Sequence, residues 1–181
     1  MNINTLEKFI FITDFDIIIK NRIRRLKNLN LIYLHDFYDN LKIKTLLDIR
    51  QFTRKQKIQL YIVDNYILAI QLKIQGIFIS SNNRRNLPAC IKNKLKIIGS
   101  AHNQLEYYFK KRQECEVITL SPLFYNEKYS HNKILNIPRY NLISLYWREK
   151  ICPLGGIQSN NFKKIKLTKS KCVGLKSAIL K

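Results

Sequence analysis

The stretch Gln59-Leu-Tyr-Ile-Val-Asp64 decides the fold, because it is a short apolar run that ends in a polar residue and leads into a segment of helical spacing. The next run, Gly76-Ile-Phe-Ile-Ser80, repeats the pattern further along the chain. Runs of this kind recur at intervals of roughly 20 residues, and about eight can be counted. The others are residues 8–14, 31–36, 95–100, 116–121, 151–155 and 172–176.

Continuous apolar runs are typical of parallel strands that are buried on both faces. The segments between the runs have amphipathic helical patterns that would cover such a sheet. The predicted core positions are Leu46, Leu47 and Ile49 for residues 41–55, and Leu105, Tyr108 and Phe109 for residues 103–114. Alternating strands and helices predict an α/β fold of the (β/α)₈ TIM-barrel class, with an open doubly wound sheet as the alternative.

The length of 181 residues lies just below the usual range for this barrel. We therefore expect a single compact domain over residues 1–181, slightly truncated, with a short or missing helix around residues 137–150.

The formal net charge of +21 raises the question of nucleic-acid binding. The basic residues come in many small groups along the chain and not in one tail or stripe, which favours an ordinary solvated surface. We expect no nucleic-acid partner, and a basic nucleic-acid-binding domain stays open as the third alternative for function.

The amino-terminal segment contains Glu7 and no basic lead, and Asp14 and Asp16 interrupt its apolar run. Neither a signal peptide nor a membrane span fits this pattern, so we expect a cytoplasmic protein without membrane association. The four cysteines lie far apart and form no Cys-x-x-Cys pair, which argues against a zinc site and a disulfide framework. We expect them to be buried thiols.

A glycine pair at the end of a predicted strand is the clearest candidate for ligand binding. Gly155 and Gly156 follow the run that begins at Ile151 and precede a predicted helix start near Ser159. Glycine lets backbone N–H groups approach an anion, and a helix amino end adds a favourable dipole. Gly174 marks a second glycine near a strand end, and the loops after the last two strands of such barrels commonly bind phosphate. The sequence therefore predicts a phosphate site here, with a plain tight turn as the alternative.

Four motifs at predicted strand ends occur in an order that matches the motifs of a known family. They are Ile98-Gly-Ser-Ala-His102, Ser121-Pro-Leu-Phe124, Leu154-Gly-Gly-Ile157 with Asn160, and Gly174-Leu-Lys-Ser-Ala-Ile179. Together they resemble the thiamine phosphate synthase/TenI family. The resemblance implies a (β/α)₈ barrel that holds a thiazole phosphate on backbone groups of its last two turns. The phosphate-binding candidates are Gly155, Gly156, Lys176 and Ser177.

The family's two branches imply different reactions. The synthase branch ionises hydroxymethylpyrimidine pyrophosphate with the help of Mg²⁺ and couples it with thiazole phosphate, giving thiamine phosphate and pyrophosphate. In the TenI branch, a histidine moves a proton to aromatise the thiazole. The ligands implied in both cases are phosphorylated small molecules.

Other strand ends match the family's pattern only in part. Asp64 aligns with the first metal carboxylate and Asn83 with the second, so these two residues are the candidate Mg²⁺ ligands. Tyr33-Leu-His-Asp-Phe37 stands where synthases carry Gln-x-Arg-x-Lys, and the segment from Asn126 stands where they carry Thr-x-Thr-Lys. The substrate-binding candidates are Tyr33, His35, Asn126 and Lys128.

His102 is the acid–base candidate, since it follows Ser100 at a strand end and imidazole exchanges a proton near neutral pH. A histidine in the matching place transfers the proton in TenI-like proteins, and Ser100 is the second catalytic candidate. The sequence thus predicts an enzyme of thiamine biosynthesis that resembles thiamine phosphate synthase. A TenI-like tautomerase and a noncatalytic relative that binds thiazole phosphate are the alternatives.

Overall fold

The computed structural model describes residues 5–34, 40–127, 130–147 and 150–176. Eight strands form one sheet in the order β7-β6-β5-β4-β3-β2-β1-β8, with every hydrogen-bonded pair parallel. The strands are β1 (Glu7–Ile12), β2 (Leu29–Tyr33), β3 (Gln59–Val63), β4 (Gly76–Ile79), β5 (Lys96–Ala101), β6 (Val117–Leu120), β7 (Lys150–Pro153) and β8 (Cys172–Lys176). Each of the predicted apolar runs is a strand, and the (β/α)₈ barrel fold is confirmed.

Helices connect the strands on the outside of the barrel. They are α1 (Ile17–Arg24), α2 (Asn40–Lys55), α3 (Tyr66–Gln71), α4 (Ala89–Lys92), α5 (Gln104–Arg112) and α6 (Asn136–Tyr146). Short 3₁₀ helices occur at His131–Lys133 and Phe162–Thr168.

The expected gap in the helical layer was misplaced. Helix α6 occupies residues 136–146, because Pro138 lies in its first turn, where proline is tolerated, and Tyr140 anchors it to the core. The shortened connections instead follow β4, where α4 has four residues, and β7, where a 3₁₀ helix without a side-chain N-cap replaces the helix that was predicted to begin near Ser159.

The barrel closes between β7 and β8 through side chains. The buried Ser170 hydroxyl donates to the carbonyl of Ile151 at 2.9 Å, and the thiol of Cys172 lies 3.6 Å from the same carbonyl. Cys115, Cys152 and Cys172 are free, buried thiols, as expected.

Two apolar layers lie on the two faces of the sheet. The barrel interior contains aromatic rings in edge-to-face contact, with ring centres 5.2 Å apart for Phe11 and Phe78 and 6.4 Å apart for Phe9 and Tyr61. Alternate residues of the same strands, such as Ile10 and Ile12, pack outward against the helices.

The core faces of the helices were predicted only in part. Leu46 and Ile49 of α2 are fully buried, but Leu47 is 42% exposed. On α5 the prediction was wrong for Leu105 and Tyr108, which are more than half exposed, and Phe109 is half-buried. Tyr107 and Lys110 take the buried positions. Tyr107 stacks on Trp147, and the aliphatic part of Lys110 lies over Gly99 of β5, where a side chain would collide with it.

Candidate functional site

The candidate residues lie at the carboxyl ends of the strands, and strand alternation decides which of them face the barrel. Ser100 is on the same face of β5 as Ile98, which is in the barrel interior, and it is 7% exposed. Lys176, the exposed last residue of β8, is on the same face as Cys172. Ser100 and Lys176 therefore both belong to the barrel side at its carboxyl end.

The turn after β7 is built on two consecutive glycines. Gly155 and Gly156 have φ angles of +90° and +68°, a region that side chains disfavour. Among the described residues, no group accepts a hydrogen bond from the amides of Gly155, Gly156 or Ile157. Successive amides in such turns converge on anions.

Neighbouring segments hold this turn in place. The amide of Phe124 donates to the carbonyl of Gly155 at 3.1 Å, and the side chain of Asn161 donates to the carbonyl of Gly156 at 2.8 Å. The Asn161 carboxamide also accepts from the amide of Gln158 at 2.9 Å. The turn is therefore braced on its carbonyl side, away from its amides.

Gly174 does not lie in a turn like that of Gly155 and Gly156. It lies within β8, paired with Phe9, and a side chain there would meet Leu154 and the ring of Phe11. Its role is to let the barrel interior close.

His102 follows β5 directly and is oriented by Glu106 of α5. Its Nδ1 lies 2.9 Å from Glu106 Oε2, and its backbone amide donates to the same oxygen at 2.7 Å. Asn103 caps α5 by accepting from the Glu106 amide at 2.9 Å, which fixes the first turn and its carboxylate. A proton on Nδ1 would therefore be held by Glu106, which leaves Nε2 as the basic nitrogen.

Asp64 and Asn83, the predicted metal pair, are in direct contact. Asp64 Oδ1 accepts from the side-chain nitrogen of Asn83 at 2.8 Å and from the amide of Ser80 at 3.1 Å. Asn83 Oδ1 accepts from the amide of Arg85 at 3.1 Å. Because Arg85 supplies a donor, the oxygen of Asn83 must face it and the nitrogen must face Asp64.

This donor set does not fit Mg²⁺. The ion requires near-octahedral oxygen ligands, and one or two carboxylates are its usual protein ligands. Here the Asn83 oxygen points away from Asp64, and one carboxylate oxygen already accepts two hydrogen bonds. Across residues 5–34, 40–127, 130–147 and 150–176, no group of three or more His, Cys, Asp or Glu side chains could hold a metal.

Sequence reasoning missed the basic residues that surround this pair. A cavity of about 480 Å³ is lined by Asp64, Asn82, Asn83, Arg84 and Arg85. Behind it, Lys110 is fully buried, and its Nζ donates to the carbonyl of Asn83 at 2.7 Å and to Gln113 Oε1 at 3.0 Å.

Gln113 completes the support of this segment. Its side-chain nitrogen donates to the carbonyls of Asn83 and Arg85 at 2.9 and 2.8 Å. Burial lowers the pKa of Lys110, and the electrostatic influence of Cys115, Asp64 and Glu106 opposes part of the decrease. In the sequence, the signal for this buried support was a lysine at a core-facing position of a helix.

The remaining candidates have mixed placements. Tyr33 is 1% exposed and belongs to the outer apolar layer, on the opposite face of β2 from the barrel interior. Asn126 is half-buried in the loop after β6. His35, Lys128 and Ser177 lie outside the described residues.

Comparison with known proteins shows which family this chain belongs to. The family model described as thiamine monophosphate synthase (TMP-TENI) matches residues 23–179. The chain belongs to this family. A comparison with curated protein sequences gave no match.

Solved structures of the thiamine monophosphate synthase family share its fold. A thiamine phosphate pyrophosphorylase from Pyrococcus furiosus has a TM-score of 0.76 at 14% identity, over 99% of this chain and 90% of that one. A second pyrophosphorylase, from Bacteroides thetaiotaomicron, has a TM-score of 0.60 at 16% identity, over 94% and 82%.

The fold is also shared outside this family. A 2-keto-3-deoxy-6-phosphogluconate aldolase from Zymomonas mobilis has a TM-score of 0.61 at 13% identity, over 94% of this chain and 81% of that one.

Within the described residues, no helix combines the length and the apolar character needed to cross a membrane.

Proposed function

We propose that this chain is an enzyme of thiamine assembly that binds a thiazole phosphate and moves a proton on it. The observation that carries the proposal is the turn at Gly155 and Gly156, whose amides face away from its braced carbonyl side. The phosphate would be bound by these amides and by Lys176, which extends from the neighbouring strand β8. Ser177 would add a further contact.

His102 would transfer the proton. With Nδ1 held by Glu106, Nε2 accepts a proton from one carbon of the ligand and returns it to another, so the composition of the ligand is unchanged. Glu106 stabilises the imidazolium that forms between the two steps. Ser100, on the barrel side of β5, would orient the ring.

The coupling of hydroxymethylpyrimidine pyrophosphate with thiazole phosphate is the second candidate, and the family description favours it. Asn126 and Lys128 would contact the pyrimidine substrate, and His35 is the weaker candidate for the same role. Tyr33 is not a candidate, because it is buried on the face of β2 that points away from the barrel interior. Mg²⁺ would supply charge to the leaving pyrophosphate in such a reaction, but the donor set at Asp64 and Asn83 does not suit it. We therefore place proton transfer first.

The first experiment separates binding from proton transfer. Calorimetry measures thiazole phosphate binding, and NMR in D₂O measures tautomer conversion and exchange of the ligand's carbon-bound protons. His102→Gln should abolish exchange and leave the affinity within about twofold, since the phosphate is bound elsewhere. The exposed His131→Gln is the matched control and should retain both properties.

The second experiment tests the coupling reaction. The wild-type protein is incubated with both substrates, with Mg²⁺ or with EDTA, and thiamine phosphate and pyrophosphate are quantified. Product formation would establish coupling as the activity.

Thiazole phosphate binding that survives the loss of Lys176 and a Gly156→Ala change would contradict the proposed phosphate site.

A further inference from the structure

We propose that the cavity at the ends of β3 and β4 is a metal-independent anion site, in which Arg84 and Arg85 bind the anion and protein groups replace a divalent cation. The inference goes beyond the proposed proton transfer, because it concerns the edge of the barrel at Asp64 and Asn83 and not the β7 turn or His102. Its ligand class is a small polyanion such as a diphosphate group.

The first argument is that the Asn83 carboxamide occupies the position of a cation beside Asp64. Its nitrogen donates to Asp64 Oδ1 at 2.8 Å, and the amide of Arg85 fixes its orientation. A second carboxylate at residue 83 would repel Asp64 and require a cation between the two. The carboxamide removes that repulsion and satisfies Asp64 directly.

The second argument is that side chains hold the loop that carries the arginines. The Asn83 carbonyl accepts from both Lys110 Nζ and Gln113 Nε2, and the Arg85 carbonyl accepts from Gln113. Lys110 and Gln113 are both fully buried, so these hydrogen bonds are shielded from water. These buried hydrogen bonds therefore hold the loop in place.

The third argument is the charge of the cavity lining. Arg84 and Arg85 line it, with Asp64 as the acidic residue among the lining side chains. The guanidinium of Arg84 lies 5.1 Å from the centre of the Phe109 ring, which restricts its motion. Two guanidinium groups against one carboxylate, which already accepts two hydrogen bonds, give the lining a net positive charge, so the cavity favours an anion.

The anion arm of the experiment uses pyrophosphate as the probe. Calorimetry is performed on the full chain in EDTA and again with excess Mg²⁺. We expect binding in EDTA, weakened roughly tenfold or more by the double change Arg84→Gln and Arg85→Gln. The matched control is Arg24→Gln with Arg25→Gln, since these are also adjacent exposed arginines, one of them over an aromatic ring. Binding that requires Mg²⁺, or that is equally weakened by the control, would overturn the proposal.

The metal arm uses Mn²⁺ as a spectroscopic substitute for Mg²⁺, with free Mn²⁺ measured by electron paramagnetic resonance. The wild-type protein should bind none at this cavity at millimolar concentrations, whereas Asn83→Asp should gain binding and a Mn²⁺-dependent rise in Tm. The further change Asp64→Asn should remove that gain. Wild-type Mn²⁺ binding that Asp64→Asn abolishes would overturn the proposal. Neither arm uses a thiazole ligand, so failure here is distinct from failure of the proposed function.

Discussion

Replacing Gly156 by alanine tests the reasoning about the β7 turn most directly. A Cβ atom at this position would lie 2.2 Å from the carbonyl oxygen of Phe124 and 2.6 Å from that of Tyr125. Both neighbours are backbone atoms, which cannot rotate away as a side chain can. The substitution must therefore displace one of the two loops.

Two terms set the size of the effect. The positive φ of +68° costs an alanine about 1–2 kcal/mol. Overpacking against a fixed backbone adds about 1–3 kcal/mol. The expected loss of stability is thus roughly 2–5 kcal/mol, or a decrease in Tm of about 10 °C for a domain of this size.

Gly155→Ala is the matched comparison. Its φ is also positive, at +90°, but the nearest atom to its Cβ would be the Cα of Pro122 at 3.1 Å. The overpacking term is therefore small, and a loss of about 1–2 kcal/mol is expected. Urea denaturation of both variants measures the difference. If Gly156→Ala were as stable as Gly155→Ala, the close packing between the β6 and β7 loops would be refuted.

Three further predictions concern stability. Tyr140→Phe removes the hydroxyl that donates to the Ile151 carbonyl at 3.0 Å and should cost about 1 kcal/mol in urea denaturation, whereas Tyr146→Phe on the exposed face should cost nothing measurable. Asn103→Ala removes the N-cap of α5 and should also lower the free energy of unfolding by about 1 kcal/mol. Circular dichroism would measure this loss as a lower unfolding midpoint. Burial raises the pKa of the Cys115 thiol from 9.0 to about 12, so the folded state retains a proton that the unfolded state loses. Stability should therefore be unaffected by this thiol below pH 9.0 and should fall as pH rises towards 12, and Cys115→Ala should make that alkaline decline shallower.

The strands could be predicted from the sequence because burial on both faces makes them continuous apolar runs, and because these runs recur at regular intervals. An apolar run alone would not have been enough, since helix α3 also begins with one, Tyr66-Ile-Leu-Ala-Ile70. Continuous apolar runs such as Phe9 to Ile12 contribute to both the interior and the outer layer, so each strand was found, with its ends within three residues of the prediction. Helix faces were harder. On α5, the buried positions are held by Tyr107 and Lys110, and a pattern that counts lysine as polar selects the wrong face.

The candidate site was predictable by position and less so by chemistry. The placement of Gly155, Gly156 and His102 directly after strands could be predicted, because apolar runs and glycine pairs can be read from the sequence, whereas their roles are proposals. The hydrogen bond between Asp64 and Asn83 could not be predicted. In the sequence, a carboxylate and an amide aligned with metal ligands look the same whether they bind one cation together or form a hydrogen bond with each other. The orientation of Asn83 depends on the amide of Arg85, which no side-chain pattern encodes.

The order of the strands relates the two proposed anion sites to each other. The glycine turn lies between β7 and β8, and the arginine cavity lies between β3 and β4, so four strands separate them in either direction around the barrel. Positions that far apart in an eight-stranded barrel lie on opposite sides of its mouth. His102 follows β5, which lies between the arginine cavity and the glycine turn in the order of the strands. Two anions could therefore bind at once without competing for the same groups, and saturating pyrophosphate should leave the affinity for thiazole phosphate within about twofold of its value alone. Mutual exclusion of the two ligands would mean that a single site at the mouth binds both.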